Sequence, residues 1–267
     1  MKQKTRTRWR RFVSAGLMAC LSFLSGRAMA QETTPRPEVL VVNKGVGGNS
    51  TRDGLARFER DVIETRPDHL ILYFGMNDAG NSKKLVPLDE YVRNMQTMID
   101  RARAAGVKTI VLVTLNPVII DYWASRHPTH PNKTQAHFDA YDAAVRALAE
   151  KNGLPLADLR ALVNERGGAA MDAGCLIRNE ANSRAKDGVH LTAEGYRLMA
   201  GIFPPIFKDR IKPGQTVVCF GDSITYGSGI KGAGTACGAT YPAWLWLHLN
   251  RMVGATDREA PLPPPTP

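Results

Sequence analysis

The segment Gly221-Asp222-Ser223-Ile224-Thr225-Tyr226-Gly227 directly follows the apolar run Thr216-Val217-Val218-Cys219-Phe220. An apolar, β-branched run that breaks into Gly-Asp-Ser predicts a buried strand that ends in a tight turn. Such a turn presents the hydroxyl of Ser223 at the carboxyl edge of a sheet, where ligands of open α/β folds bind. We therefore expect a functional site around Ser223.

A base and a carboxylate for this hydroxyl are present in Asp187-Gly188-Val189-His190. A serine becomes a nucleophile when a neighbouring base takes its proton, and an imidazole does this best when a carboxylate orients it. The turn precedes a predicted helix, and its i, i+3 spacing can place the side chains of Asp187 and His190 on one side. Taken alone the pair is a weak signal, because such spacing is common on surfaces. With Ser223 it supplies the components of a Ser-His-Asp triad.

Two further turns follow predicted strands. Gly45-Val46-Gly47-Gly48 comes after an apolar run at 38–43, and its three glycines let the backbone approach a ligand closely. Gly75-Met76-Asn77-Asp78 comes after a second apolar run, at 70–74. Taken alone, the first turn also fits a plain strand-to-helix connection, and an asparagine in a turn usually serves the turn itself.

These four blocks together resemble the SGNH (GDSL) hydrolase family of esterases and lipases. The resemblance covers most of the chain, from about Val39 to about Met252, and implies a three-layer α/β/α flavodoxin-like fold with about five parallel strands. In the family the Gly-Asp-Ser block comes first, whereas here Ser223 follows His190 by 33 residues. The sequence therefore resembles a circular permutant. The Gly-x-Ser-x-Gly elbow of the α/β-hydrolases is absent, which makes that fold the weaker alternative.

The resemblance also assigns roles to single residues. It implies that Ser223 is the nucleophile, that His190 is the general base and that Asp187 orients the imidazole. It implies an oxyanion hole formed by the backbone N–H groups of Ser223 and Gly48 and by the side-chain amide of Asn77. The predicted activity is hydrolysis of carboxylic esters without a cofactor or a metal.

The substrate is predicted less directly. We expect Asp222, Tyr226 and Trp123 to contact it, with further aromatic side chains at Tyr122 and Trp244. These aromatics, and the lack of a long apolar lid helix, favour short acyl groups, such as acetyl, on carbohydrate. The alternatives are a lysophospholipase or thioesterase and, from a different class, an inactive carbohydrate-binding relative.

The first 30 residues have the pattern of a secretory signal peptide. A basic start, an apolar stretch from Phe12 to Leu24 and Ala28-Met29-Ala30 precede Gln31. The apolar stretch is well short of the roughly 20 residues that span a bilayer, so a membrane anchor is the weaker interpretation. Cleavage after Ala30 predicts a secreted or periplasmic protein, and lipidation of Cys20 in Leu17-Met18-Ala19-Cys20 is the alternative.

The chain of 267 residues is long enough to bury one sizeable core. We predict a flexible lead-in at 31–37, a single domain at 38–256 and a proline-rich, disordered tail at 257–267. The predicted strands are 38–43, 70–74, 108–114, 154–159 and 216–220, and the predicted helices are 53–66, 89–105, 134–152, 193–203 and one beginning at Pro242. The segment 116–132 is predicted to be irregular.

The net charge of +10 does not indicate nucleic-acid binding. Seven of the 35 basic residues and none of the 25 acidic residues lie in residues 1–30, which leaves 28 basic and 25 acidic residues, a net charge of +3. No basic stripe with interleaved aromatics remains. His127, His130 and His137 are not predicted to bind a metal, because prolines interrupt the segment and no acidic or thiol partner has suitable spacing. A monomer is favoured.

Three cysteines remain after Cys20. Cys219 lies inside the predicted strand, where a small buried thiol is expected. Cys175 and Cys237 could pair in an oxidising compartment. Three cysteines fix no connectivity, so the sequence leaves this disulfide open.

Overall fold

The computed structural model describes residues 36–263. The predicted signal peptide at 1–30 and nearly all of the lead-in at 31–37 lie outside the described residues. The described chain forms a sheet of five parallel strands in the order β1-β5-β2-β3-β4. The strands are β1 Leu40–Gly45, β2 His69–Tyr73, β3 Thr109–Val113, β4 Leu156–Ala157 and β5 Thr216–Gly221.

Two groups of helices flank the sheet and give the predicted three-layer α/β/α architecture. The first group is built from α1, α3 and α5, and the second from α6, α8, α9 and α11. The helices are α1 Thr51–Phe58, followed by a π-helical turn at Glu59–Ile63, α2 Met76–Gly80, α3 Leu88–Ala104, α4 Ile120–Arg126, α5 Gln135–Asn152, α6 Leu159–Glu165, α7 Glu180–Ser183, α8 Ala193–Ala200, α9 Pro204–Phe207, α10 Ser223–Tyr226 and α11 Tyr241–Met252. The predicted fold class is confirmed.

The central strands are buried on both faces, as their continuous apolar runs predict. Every residue of β2 and β3 is buried, and Val217 to Phe220 of β5 have no exposed surface. Helix α5 shows the local signals at both of its ends. The Thr134 side chain accepts a hydrogen bond from the backbone N–H of His137, and Gly153 ends the helix with φ of 59°.

The register of the three strands on one side of the sheet fixes the site. Gly221 at the end of β5 pairs with Gly45 at the end of β1 and with Tyr73 at the end of β2. The turns that follow these strands therefore emerge side by side at the carboxyl edge. Glycine is needed at both Gly221 and Gly45. A Cβ on Gly45 would lie 2.1 Å from the backbone nitrogen of Tyr226, and one on Gly221 would lie 2.5 Å from the carbonyl oxygen of Tyr73.

Two segments differ from the sequence predictions. The predicted irregular segment 116–132 contains α4, which fits between Pro117 and Pro128 and is anchored by the buried ring of Trp123. The predicted disordered tail begins as a docked segment, because the carbonyl oxygen of Leu262 accepts a hydrogen bond of 2.7 Å from the N–H of Gly238. Tertiary contacts far along the chain determine both features.

The disulfide between Cys175 and Cys237, which the sequence left open, is not present in the structure. Within the described residues Cys175, Cys219 and Cys237 are all free. The thiol of Cys175 is buried in its own loop, where it donates to the carbonyl of Gly168 and accepts from the N–H of Ile177, both at 3.3 Å. These local hydrogen bonds orient the sulfur toward its own loop.

Candidate active site

Ser223 is the first residue of α10, directly after β5. The side chain of the preceding residue, Asp222, accepts a hydrogen bond of 2.9 Å from the N–H of Ile224 and so caps this short helix. The N–H of Ser223 lies in the first turn, where backbone donors have no partner within the helix. The turn thus presents a hydroxyl and a backbone donor together.

His190 lies against this serine. Its Nε2 is 2.9 Å from Oγ of Ser223, and its Nδ1 is 3.0 Å from each carboxylate oxygen of Asp187. A carboxylate at Nδ1 keeps the proton on that nitrogen and leaves Nε2 free to accept one from the serine. The three predicted residues therefore form one hydrogen-bonded row.

Asp187 is held as a carboxylate. Burial by itself would raise the pKa of Asp187, but the hydrogen bond and charge of His190, with the backbone N–H groups of Val189 and His190, lower this pKa to about 2. Two arginines that the sequence analysis did not single out flank it. Nη1 of Arg178 is 3.4 Å from Oδ2 of Asp187, and Nη2 of Arg126 is 3.9 Å from Oδ1.

Gly48 and Asn77 reach the same place from the neighbouring strands. Gly48 has φ of 74°, a conformation that glycine adopts without strain, in the turn after β1. Asn77 lies in α2, after β2, and its Nδ2 donates to the carbonyl of Asn49 at 3.0 Å. Nδ2 also lies 3.5 Å from Oδ2 of Asp222. Gly48 and Asn77 both line one cavity with Ser223 and His190.

A buried arginine supports this edge of the sheet. Nε of Arg57 donates to Oδ1 of Asn49 at 2.7 Å, and Nη2 donates to the carbonyl of Gly221 at 2.8 Å. Because Asn49 in turn holds the amide of Asn77, the guanidinium links the turns that follow β1, β5 and β2. Sequence reasoning missed Arg57, because no local pattern marks it as buried.

The cavity has a volume of about 330 Å³. Its lining includes the predicted Trp123, whose side chain is 2% exposed. Two other predicted substrate contacts, Asp222 and Tyr226, do not line it. Asp222 has no exposed surface because its carboxylate faces inward to cap α10, and the ring of Tyr226 packs near Gly234. Contact of these two side chains with substrate therefore stays a prediction, and the cavity gives it no support.

His127, His130 and His137 make packing and hydrogen-bond contacts within the fold. Nε2 of His130 and Nε2 of His137 both donate to the carbonyl of Ala79, at 2.8 and 3.0 Å. His127 stacks on Trp123 with ring centroids 5.2 Å apart. Within residues 36–263 no group of three or more His, Cys, Asp or Glu side chains could hold a metal ion. In the same range no helix is long and apolar enough to cross a membrane.

A parallel α/β domain that aligns serine, histidine and aspartate at the carboxyl edge of its sheet has the arrangement of an ester hydrolase. The chain belongs to the GDSL-like lipase/acylhydrolase family, whose sequence profile matches residues 21–198. It is accordingly an esterase of the SGNH type. The matched range includes Asn77, Asp187 and His190 and ends before Ser223.

Several known proteins are similar to this chain. An acetylxylan esterase of Geobacillus stearothermophilus is 29% identical over 182 residues, which cover 66% of this chain and 75% of the relative. An uncharacterized lipoprotein of Bacillus subtilis, YqeF, is 27% identical over 183 residues, covering 63% and 73%. The crystal structure of a putative acylhydrolase from Bacteroides fragilis has a TM-score of 0.50 and 23% identity, covers 61% of this chain and 72% of that one, and supports the fold.

Proposed function

We propose that this protein is a secreted serine esterase that removes short acyl groups, acetyl above all, from carbohydrate. Ser223 attacks the ester carbonyl while His190 takes its proton, and the imidazolium then protonates the departing alcohol. Water deacylates the enzyme by the same steps. Asp187 stays ionised throughout and stabilises the imidazolium.

The observation that carries the proposal is the row from Asp187 through His190 to Ser223. The distance of 2.9 Å between Nε2 of His190 and Oγ of Ser223 lies within the range that direct proton transfer needs. With its pKa lowered to about 2, Asp187 is a carboxylate at any pH at which the enzyme would work. The row therefore favours nucleophilic catalysis by Ser223.

The proposed oxyanion hole consists of the N–H groups of Ser223 and Gly48 and the amide of Asn77. Each comes from a different turn at the carboxyl edge, and all three residues line the cavity. A neutral amide can donate a preorganised hydrogen bond to developing negative charge. In the free enzyme the same amide donates to Asn49, which holds it close to its working position.

The acyl and alcohol parts of the substrate are proposed from size and lining. A volume of about 330 Å³ is at the lower end of the range for small-molecule sites, which favours acetyl over long acyl chains. Trp123 and Phe138 contribute apolar side chains to the lining of this cavity. The similarity to an acetylxylan esterase supports the same choice.

The test is hydrolysis of p-nitrophenyl acetate, butyrate and octanoate. We expect kcat/KM to fall along this series, and we expect Ser223→Ala to abolish turnover with folding intact. Ser228→Ala, at the other serine that lines the cavity, is the matched control and should keep most of the activity. Full activity of Ser223→Ala would refute the mechanism, and a preference for octanoate would favour the lipid-hydrolase alternative.

We also propose that the secreted protein begins at Gln31 and carries no lipid. The signal-peptide pattern at 1–30 supports this. The similarity to a lipoprotein supports the alternative, in which Cys20 is lipidated, and the experiment must distinguish the two. The intact mass of the protein recovered from its producing cells decides between them. A diacylated chain that starts at Cys20 would overturn the proposal.

Finally, we propose that the domain is a circular permutant. If β5 is counted first, the strand order β1-β5-β2-β3-β4 reads 2-1-3-4-5, the flavodoxin-like order. The two ends of the domain are also adjacent, because Nη1 of Arg36 donates to the carbonyl of Val253 at 3.1 Å. A short link between these ends and a break before β5 would relate the two chain orders.

A further inference from the structure

The lining of the cavity is uneven in charge. Arg126, at the end of α4, is its one residue with a permanent charge, and no carboxylate lines it within the described part of the chain. The side chain of Arg126 is 40% exposed. A substrate in this cavity therefore meets a guanidinium and no acidic group.

The charge of Arg126 is not neutralised by a close ion pair. Its Nη2 donates to the backbone carbonyl of Asp187, and the carboxylate of that residue is 3.9 Å away. That carboxylate already accepts from His190 and two backbone N–H groups, and Nη1 of Arg178 lies 3.4 Å from it. Two arginines thus face one carboxylate, which leaves an excess positive charge beside the reacting atoms.

The guanidinium also has donors to spare. It carries five N–H groups in a planar fork, and within residues 36–263 its one hydrogen bond is the bond to the carbonyl of Asp187. The planar fork matches the geometry of a carboxylate. His127, next in the chain, also lines the cavity, and burial lowers the pKa of its imidazole, so a neutral ring lies beside the cation.

We propose that Arg126 binds a carboxylate on the alcohol part of the substrate, so that the preferred substrates are acetyl esters of uronic-acid-containing carbohydrate. This inference rests on the proposed function and adds the charge of the sugar. A hydrogen bond to a charged group contributes about 1.5–3 kcal/mol, which corresponds to a preference of about 10- to 100-fold. The preference weakens with salt, because Arg126 is partly exposed.

The experiment compares a methyl glucuronoside and a methyl glucoside that carry one acetyl group at the same ring position, with each position assayed. We expect kcat/KM to favour the acidic sugar about 10- to 100-fold, and the ratio to fall toward one in high salt. Arg126→Gln should bring the ratio close to one, and Arg126→Lys should keep part of it. Arg93→Gln removes the same charge from an exposed pair on α3 and should leave the ratio unchanged.

A second measurement needs no acetylated sugar. Methyl glucuronoside should inhibit hydrolysis of p-nitrophenyl acetate more strongly than methyl glucoside does, and this difference should be lost in Arg126→Gln. Equal kcat/KM for the two acetylated sugars with the wild type, or an unchanged ratio in a folded Arg126→Gln, overturns the role of Arg126 and leaves the proposed esterase function standing. If Arg126→Gln does not fold, the wild-type ratio, its salt dependence and Arg126→Lys still decide. No hydrolysis of any ester by the wild type refutes the proposed function instead.

Discussion

Nδ2 of Asn77 lies 3.5 Å from Oδ2 of Asp222, the residue directly before Ser223. Asp222 has no exposed surface, and burial raises its pKa to about 7. Burial likewise raises the pKa of the neighbouring Asp78, to about 6. The proposed oxyanion donor therefore lies next to buried carboxyl groups whose protonation depends on pH near neutrality.

Replacing Asn77 by alanine should lower kcat by about 10²–10³ with a smaller effect on KM, because one donor to the oxyanion is lost. Asn164→Ala removes an exposed amide on α6 and is the control, expected to behave as wild type. Steady-state kinetics with p-nitrophenyl acetate measures both. A change confined to KM would make Asn77 a substrate-binding residue instead.

Replacing Asp222 by asparagine should stabilise the protein increasingly as pH rises from about 4 to about 7. The folded-state pKa of about 7 exceeds the unfolded value of about 3.9, so the wild type loses stability across that window while asparagine does not titrate. Each pKa difference of one corresponds to about 1.4 kcal/mol, or about 3–6 °C in Tm for a domain of this size. The Tm of both proteins across this pH range measures the effect.

Asp89→Asn is the control for this pH series. Asp89 is exposed, and its hydrogen bond with Arg93 lowers its pKa, so the sign is reversed and the variant should lose a little relative stability as pH rises. A Tm difference between Asp222→Asn and wild type that stays constant from pH 4 to 7 would contradict the prediction.

The protein that begins at Gln31 should show three titratable thiols in denaturant without reductant. In the native protein Cys237, which is partly exposed, should react first, because Cys175 and Cys219 are buried. Burial also raises the pKa of Cys219 to about 12, which suppresses its thiolate. Titration with a chromogenic disulfide reagent counts them, and a single thiol in denaturant would restore the disulfide that the structure lacks.

Moving residues 213–260 ahead of residue 38, which opens the chain between Lys212 and Pro213, should give a soluble enzyme with similar kcat/KM. The Nδ2 of Asn250 in α11 donates to the carbonyl of Val39 at 3.0 Å, so the new link joins elements that already touch. Rearrangements of this kind are tolerated when termini are adjacent and the new break is exposed. The comparison is made with the original chain under the same conditions.

An insoluble or inactive rearranged chain, beside an active original, would count against the proposed relation. An original chain that is active as a dimer and inactive as a monomer would have a different meaning. It would indicate that β5 is exchanged between protomers at the connector 212–214.

The sequence by itself predicted the sheet and most of the site. Continuous apolar runs specified β2, β3 and β5 to within about two residues, because strands buried on both faces need apolar side chains at every position. The turns after these strands contain glycines where the backbone is tightly packed and polar residues that can take part in catalysis. Since parallel strands end at one edge, Ser223 and Asn77 could be placed together before any contact was known.

Tertiary structure decided which side chains share the cavity. Asp222 and Ser223 are neighbours in the chain, yet their side chains point in different directions. The carboxylate of Asp222 faces inward and caps α10, whereas the hydroxyl of Ser223 faces His190. Packing against β1 and β2 determines these orientations. Arg126 reaches the cavity because burial of Trp123 orders α4, a helix too short to be marked by its own periodicity. Contacts between residues far apart in sequence leave no local sequence pattern. The positive charge of Arg126 beside the cavity could therefore be recognised only in the folded structure.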